Sequence, residues 1–236
     1  MDYALLGSII ISIIPSLILG YYIYNMDKVE KEPKGLLTKL FVGGILALLL
    51  TLLISDDLKL LLPNLMNADS KNIGVLFFYN FIGVALLEEL CKWFFLGVCS
   101  WRDKNFNFLF DGIVYSAFVA LGFATLENVL YSIAYSGELT ILLLRAVLSV
   151  PAHLFFGIYM GYFYGKAKML KYNKKRYIPT LLLSLLVPFI LHGFFDFCLS
   201  MEHKIYTIIY IIFMIVLYII SLKRVSKVSL NDKYLK

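Results

Sequence analysis

The sequence predicts an all-α fold: a polytopic membrane helix bundle of about seven transmembrane helices, N-terminus outside and C-terminus cytoplasmic. Three observations carry this. The chain is 61% hydrophobic and only 16% charged over 236 residues, with a mean hydropathy of +0.81. A soluble domain is nearer half apolar and a quarter charged. There are too few charges here to coat a water-facing surface, which excludes a soluble domain, a disordered tail and a nucleic-acid binder despite the net charge of +6. Second, seven stretches approach the roughly 20 apolar residues that cross about 30 Å of hydrocarbon. Third, Lys and Arg are distributed unevenly among the connectors.

In order, the stretches are 3–24, 40–54, 73–100, 112–135, 139–165, 177–200 and 205–222. The first follows Met1-Asp2 with no basic leader and no small-residue cleavage pattern, so it reads as a permanent anchor rather than a signal peptide. The second is short unless it starts near Gly35, and the third is long enough to tilt. Asp111 opens the fourth, where an acid suits a helix N-terminus. Arg145, near the outer end of the fifth, is expected to snorkel. Pro15, Pro151 and Pro188 lie within spans, but no internal repeat accompanies them. Connectors are short, so residues 1–236 are expected to form a single integral-membrane domain whose motif-bearing core covers about 73–200.

Seventeen Lys and Arg fall in the connectors 25–39, 100–111 and 166–176 and in the tail after 222, against three on the opposite side. The positive-inside rule therefore sets the orientation, and the basic surplus reads as topology and contact with anionic lipid. Cys91, Cys99 and Cys198 form no CxxC and read as buried fillers.

Within hydrocarbon the informative residues are ionisable, because each costs about 2.5–3.5 kcal/mol at mid-helix unless paired, hydrated or functional. The third stretch carries Glu88, Glu89 and Lys92, the fourth Glu127 and Asn128, the fifth His153, and the sixth His192 and Asp196. Counted from span centres at about 1.5 Å per residue, Glu88 and His153 fall near the midplane. Glu127 and His192 lie about 5–6 Å outward of it and Asp196 about 10–12 Å, so all belong to one layer. Taken singly, Glu88/Lys92 would be a structural ion pair, His153 a packing residue and Asn128 interhelical glue. Taken jointly, they point to a functional site. Lys92 is i,i+4 to Glu88 and i,i+3 to Glu89, so it can reach either carboxylate. Asp196 is i,i+4 to His192 and can fix its imidazole. His153 needs a partner from another helix.

The chain has no HExxH, no GxSG-like nucleophile and no GxGD aspartyl dyad, and no thiol lies within a turn of a His. What remains is water activated by Glu and His, hence hydrolysis. The alternative is an ion- or proton-coupled membrane transporter using the same buried cluster.

Glu88-Glu89-Leu90-Cys91-Lys92 resembles the EExxK motif of the PrsW family of intramembrane proteases. The run 123–128 is similar to its FxxxEN motif, and His192-Gly193-Phe194-Phe195-Asp196 to its HxxxD motif. Glu30-Lys31-Glu32-Pro33, Asp111-Gly112 and the run 149–153 agree as well, so the likeness extends from about residue 27 to 200. The wider superfamily includes the type II CAAX prenyl endopeptidases, which have an Arg one position beyond Lys92, a Phe at the place of Ser149 and commonly an Asn at the place of Asp196. Those differences favour PrsW. The resemblance implies a multi-pass protein of the bacterial cell membrane. It also implies site-1 cleavage of a membrane-anchored anti-sigma factor, activating an extracytoplasmic-function sigma factor.

The expected catalytic residues are Glu88, Glu89, Glu127, His153 and His192, supported by Lys92, Asn128 and Asp196. Glu88 is expected as general base, orienting a water with His153 or Glu127. Glu89 pairs with Lys92, and the two Glu roles could be exchanged. His192, braced by Asp196, together with Asn128 would donate to the oxyanion. The expectation is catalysis without a cofactor. The alternative is Zn²⁺ held from among Glu88, Glu127, His153 and His192. Expected partners are a single-span membrane substrate and the lipid bilayer, with no nucleic acid.

Overall fold

The computed structural model describes residues 3–135 and 138–235, with side chains from residue 6 onward. Met1 and Asp2, on which the anchor reading partly rests, lie outside the described residues. The protein is helical, and the described residues form no sheet, only an isolated bridge between Phe108 and Tyr234. Among the described residues, seven helices are long and apolar enough to cross a membrane. They are α1 (Tyr3–Met26), α2 (Lys34–Leu61), α3 (Ile73–Ser100), α4 (Leu109–Ala134), α5 (Leu139–Tyr172), α6 (Ile178–Ser200) and α7 (Lys204–Leu230). Helices suit this setting because each satisfies its own backbone polar groups where no water can.

The second stretch does start near Gly35: α2 begins at Lys34 and runs on through Asp56, Asp57 and Lys59 to Leu61. Asn72 caps α3, its Oδ1 accepting from the N–H groups of Gly74 (2.8 Å) and Val75 (3.4 Å). At the start of α4, Asp111 Oδ2 accepts from the N–H of Phe108 at 2.7 Å. Two helices contain a widened π stretch, Tyr79–Leu86 in α3 and Arg145–Ser149 in α5. The second immediately precedes Val150 and Pro151. Proline has no N–H and its ring collides with the carbonyl four residues earlier, so the preceding turn opens to accommodate it.

The fourth helix is the hub. Of its most apolar window 83% is buried, against 22% for α7, whose Ile208, Ile211 and Ile215 face outward as a lipid-facing surface would. The helices close on α4 through glycine. A Cβ on Gly112 would lie 2.6 Å from the carbonyl oxygen of Gly161, and one on Gly165 would lie 2.5 Å from that of Leu109. On its other side, Gly122 sits against the Phe41 carbonyl and Gly44 against that of Val119. Without a hydrophobic force between helices in lipid, such backbone contact is what holds them. Gly161→Leu is therefore expected to separate α4 from α5 and abolish accumulation of folded protein. A fluorescence-detected size-exclusion profile would show this as loss of the monodisperse peak, whereas Gly97→Leu, where nothing lies within 4 Å of an added Cβ, should leave it intact.

Candidate active site

The glycine contacts of α4 and the π stretches of α3 and α5 turn the polar residues of four helices toward one another. Lys92 stands at the centre, 2% exposed. Its Nζ lies 2.8 Å from Glu89 Oε1, 3.3 Å from Glu88 Oε2 and 3.1 Å from His153 Nδ1, and 4.0 Å above the Phe123 ring. An ammonium has three donors, and all three find acceptors in this pocket. Glu89 is fully enclosed and uses the same Oε1 to meet His192 Nδ1 at 2.9 Å. The other ring nitrogen of His192 lies 3.1 Å from Asp196 Oδ2 and 3.9 Å from Glu88 Oε2. Phe156 stacks on the His192 ring at 4.9 Å.

The partner that His153 needed from another helix is Glu127, whose Oε2 is 2.9 Å from His153 Nε2. The same oxygen takes Arg145 Nη2 at 2.7 Å, while Arg145 Nε donates to Asn128 Oδ1 at 2.7 Å. Arg145 therefore does not snorkel as its position in the span suggested. It opens the π stretch of α5, and its inward course is fixed by these two partners and by the Tyr131 ring, 3.7 Å below the guanidinium. Asn128 is 1% exposed and also donates to the Ser12 carbonyl at 3.4 Å, so its amide ties α1, α4 and α5 together. It is not among the residues that line the cavity beside the site.

That cavity has a volume of about 820 Å³. Glu88, Glu127, Arg145, His153, His192 and Asp196 line it, whereas Glu89 and Lys92 lie behind the wall. It extends along α2 to Ser55 and the exposed Lys59. Tyr79, Tyr131, Tyr135 and Tyr210 are also in the wall and were not singled out by sequence. For Tyr131 a signal existed: it lies i+4 from Glu127 and therefore on the same helix face.

The three donors Glu88, His153 and His192 place one ligand atom each within 4.8 Å of one another. A carboxylate with two imidazoles is a donor set that suits Zn²⁺ and leaves a fourth position open. Each imidazole has one nitrogen beside a carboxylate outside the trio, Glu127 for His153 and Glu89 for His192. Such outer partners fix the orientation of metal-bound histidines. The donor types and spacing thus suit a zinc ion, provided Lys92 releases His153 Nδ1, the nitrogen to which it now donates.

The chain matches the family described as PrsW family intramembrane metalloprotease over residues 32–221. It is 37% identical over 219 residues to Protease PrsW of Oceanobacillus iheyensis, covering 93% of this chain and 94% of that protein. It is 36% identical over 227 residues to Protease PrsW of Clostridioides difficile, covering 95% and 92%. With Protease PrsW of Bacillus subtilis the identity is 35% over 217 residues, covering 91% and 92%. No solved structure matches the chain.

Proposed function

Since the chain belongs to the PrsW family of intramembrane metalloproteases and is a multi-pass membrane peptidase, we propose that it cleaves a single-span anti-sigma factor at the Glu88 cavity. This cleavage would be the site-1 step that leads to release of an extracytoplasmic-function sigma factor. The observation that supports the site is the buried Glu88–His153–His192 trio on the wall of a cavity shared by six helices. The relatives' name as proteases weighs against the ion-coupled carrier.

In this reading Glu88 meets the water. Glu89 is sealed behind the wall with Lys92 and His192 on it, and Glu127 is clamped by Arg145 and His153. Glu88 lines the cavity and has only the longer contacts, 3.3 Å to Lys92 and 3.9 Å to His192, so it has lone pairs left for a water. It orients that water and takes its proton as the oxygen attacks the scissile carbonyl. His192 is held by Glu89 at Nδ1 and faces Asp196 with Nε2, and its Nε2–H would be passed from Asp196 to the developing oxyanion. Glu127 fixes the tilt of His153, and Glu89 with Lys92 sets the charge of the pocket. In the alternative arrangement Glu88, His153 and His192 would instead hold a zinc ion, which when bound would acidify a water and polarise the carbonyl in place of the base and donor roles above. The substrate helix must unwind locally, because its own hydrogen bonds shield its peptide groups. The cavity's extension toward Lys59, on the side that the charge distribution places outside, supports entry from that side.

The test is coexpression, in cells lacking the endogenous enzyme, with a doubly tagged single-span anti-sigma factor from the same genome. A fragment is expected with the wild-type chain and none with Glu88→Gln or His192→Ala at equal membrane levels. Fragments persisting in both variants would assign the cleavage to another enzyme. Elemental analysis of the purified protein separates the two water-activating arrangements: one zinc per chain, lost together with activity on chelation, establishes the metal. Activity in metal-free protein removes it.

A further inference from the structure

A second acidic cluster lies at the opposite end of α4, and the mechanism above makes no use of it. Asp27 and Glu32 come from the α1–α2 connector, Asp111 from the first turn of α4; they are 2%, 3% and 1% exposed. Each brings a carboxylate oxygen within 4.8 Å of the other two. Sixteen residues separate Asp111 from Glu127 along α4, about 24 Å at helical rise, so this is a different place from the protease site. The two sequence runs that the peptidase chemistry left unexplained, Glu30-Lys31-Glu32-Pro33 and Asp111-Gly112, meet here.

The donors present do not satisfy the cluster. Tyr115 donates its hydroxyl to Glu32 Oε2 at 2.8 Å. Asp111 Oδ2 takes the N–H groups of Asn107 (2.9 Å) and Phe108 (2.7 Å). Asp111 Oδ1 and Asp27 Oδ2 remain buried with no hydrogen-bond partner. The Glu32 and Asp111 carboxyls lie within hydrogen-bonding reach of each other, a contact that needs either a shared proton or a cation between them. Around the trio the balance is again acidic. Glu30 and Asp232 face Asp27, and Asp103 faces Tyr115. The facing cation is Lys31, whose ammonium is already engaged with the Tyr24 carbonyl at 2.5 Å. Burial pushes the Asp27 carboxyl up to about 6 and the Glu32 carboxyl up to about 7.

We propose that Asp27, Glu32 and Asp111 form a binding site for a hard divalent cation. The donors are all oxygens, which suits Mg²⁺, Ca²⁺ or Mn²⁺ over zinc. The ion would clamp the α1–α2 connector to the start of α4, on the side that Lys and Arg assign to the cytoplasm. From there it would stiffen the helix that carries Glu127 at its far end.

Mn²⁺ is the probe, added to the full-length chelator-stripped protein in detergent and followed by its solution EPR signal. A binding step is expected in wild type, retained in Glu88→Gln and weakened at least tenfold in Asp27→Asn and in Glu32→Gln. Retention in Glu88→Gln keeps this site distinct from the protease site. Direct binding by wild type makes the test independent of how the variants fold. The proposal is overturned if wild type binds no Mn²⁺ at pH 8, which would mean that protons alone neutralise the cluster. It is equally overturned if Glu88→Gln abolishes the binding, or if Asp27→Asn and Glu32→Gln both leave it unchanged.

Discussion

Replacing Glu88 by Gln is expected to slow cleavage by about 10²–10⁴-fold, the range a positioned general base contributes, with membrane abundance unchanged. The reason for the unchanged abundance is geometric. Glu88 faces the cavity and makes the longer of the two Lys92 contacts, 3.3 Å against 2.8 Å for Glu89. A Gln at 88 leaves the Glu89–Lys92 pair intact, so Lys92 keeps a carboxylate partner. Glu89→Gln should behave differently. It takes the charge from the group that meets both Lys92 and His192, so folding and activity should fall together. The measurement is a cleavage time course in proteoliposomes beside the yield of monodisperse protein for each variant. If Glu88→Gln cleaved normally while Glu89→Gln accumulated well and was inactive, the two roles would be exchanged.

Much of the architecture was legible because hydropathy reports the bilayer directly. The third span runs Ile73–Ser100 as read, and all seven stretches correspond to helices. The C-terminal end of α2 was not legible for the same reason. Residues 55–59 leave the apolar window, but the backbone hydrogen-bond ladder continues through them to Leu61. In the polar layer, pairs on one helix follow from the 3.6-residue period: Glu88–Lys92, Glu89–Lys92 and His192–Asp196 all meet. Pairs between helices did not follow from it. Glu89–His192, Glu127–His153 and Glu127–Arg145 depend on how each helix is rotated. That rotation is set by glycine contacts such as Gly112 against Gly161, and by π stretches, which shift every later side chain around the axis. Arg145 shows the consequence. Its place near a span end suggested an outward side chain, and pairing with Glu127 and Asn128 on the neighbouring helix holds it inside instead.

Lys92→Met is expected to be the most damaging single substitution in the site. Nζ holds Glu89, Glu88 and His153 within 2.8, 3.3 and 3.1 Å. Without it, two carboxylates one residue apart stay buried with no ammonium between them. Breaking a buried pair by removing one partner costs about 3–5 kcal/mol, a large share of the roughly 5–15 kcal/mol that holds a typical domain folded. The expected result is failure to accumulate, read as loss of the monodisperse peak or a sharply lowered aggregation temperature in detergent. Glu89→Gln/Lys92→Met removes both charges of the shorter pair, and the Gln carbonyl oxygen can still accept from His192 Nδ1. The double variant should therefore recover much of the lost abundance, since exchanging a buried pair for neutral groups is often close to neutral. It should not recover cleavage, because Glu88 and His153 have lost the cation that set their charge and position. If the double variant were no more abundant than Lys92→Met, the damage would lie in lost packing against Phe123 rather than in uncompensated charge. If Lys92→Met accumulated and cleaved normally, the ammonium would be a bystander, and the charge balance inferred for the pocket would be wrong.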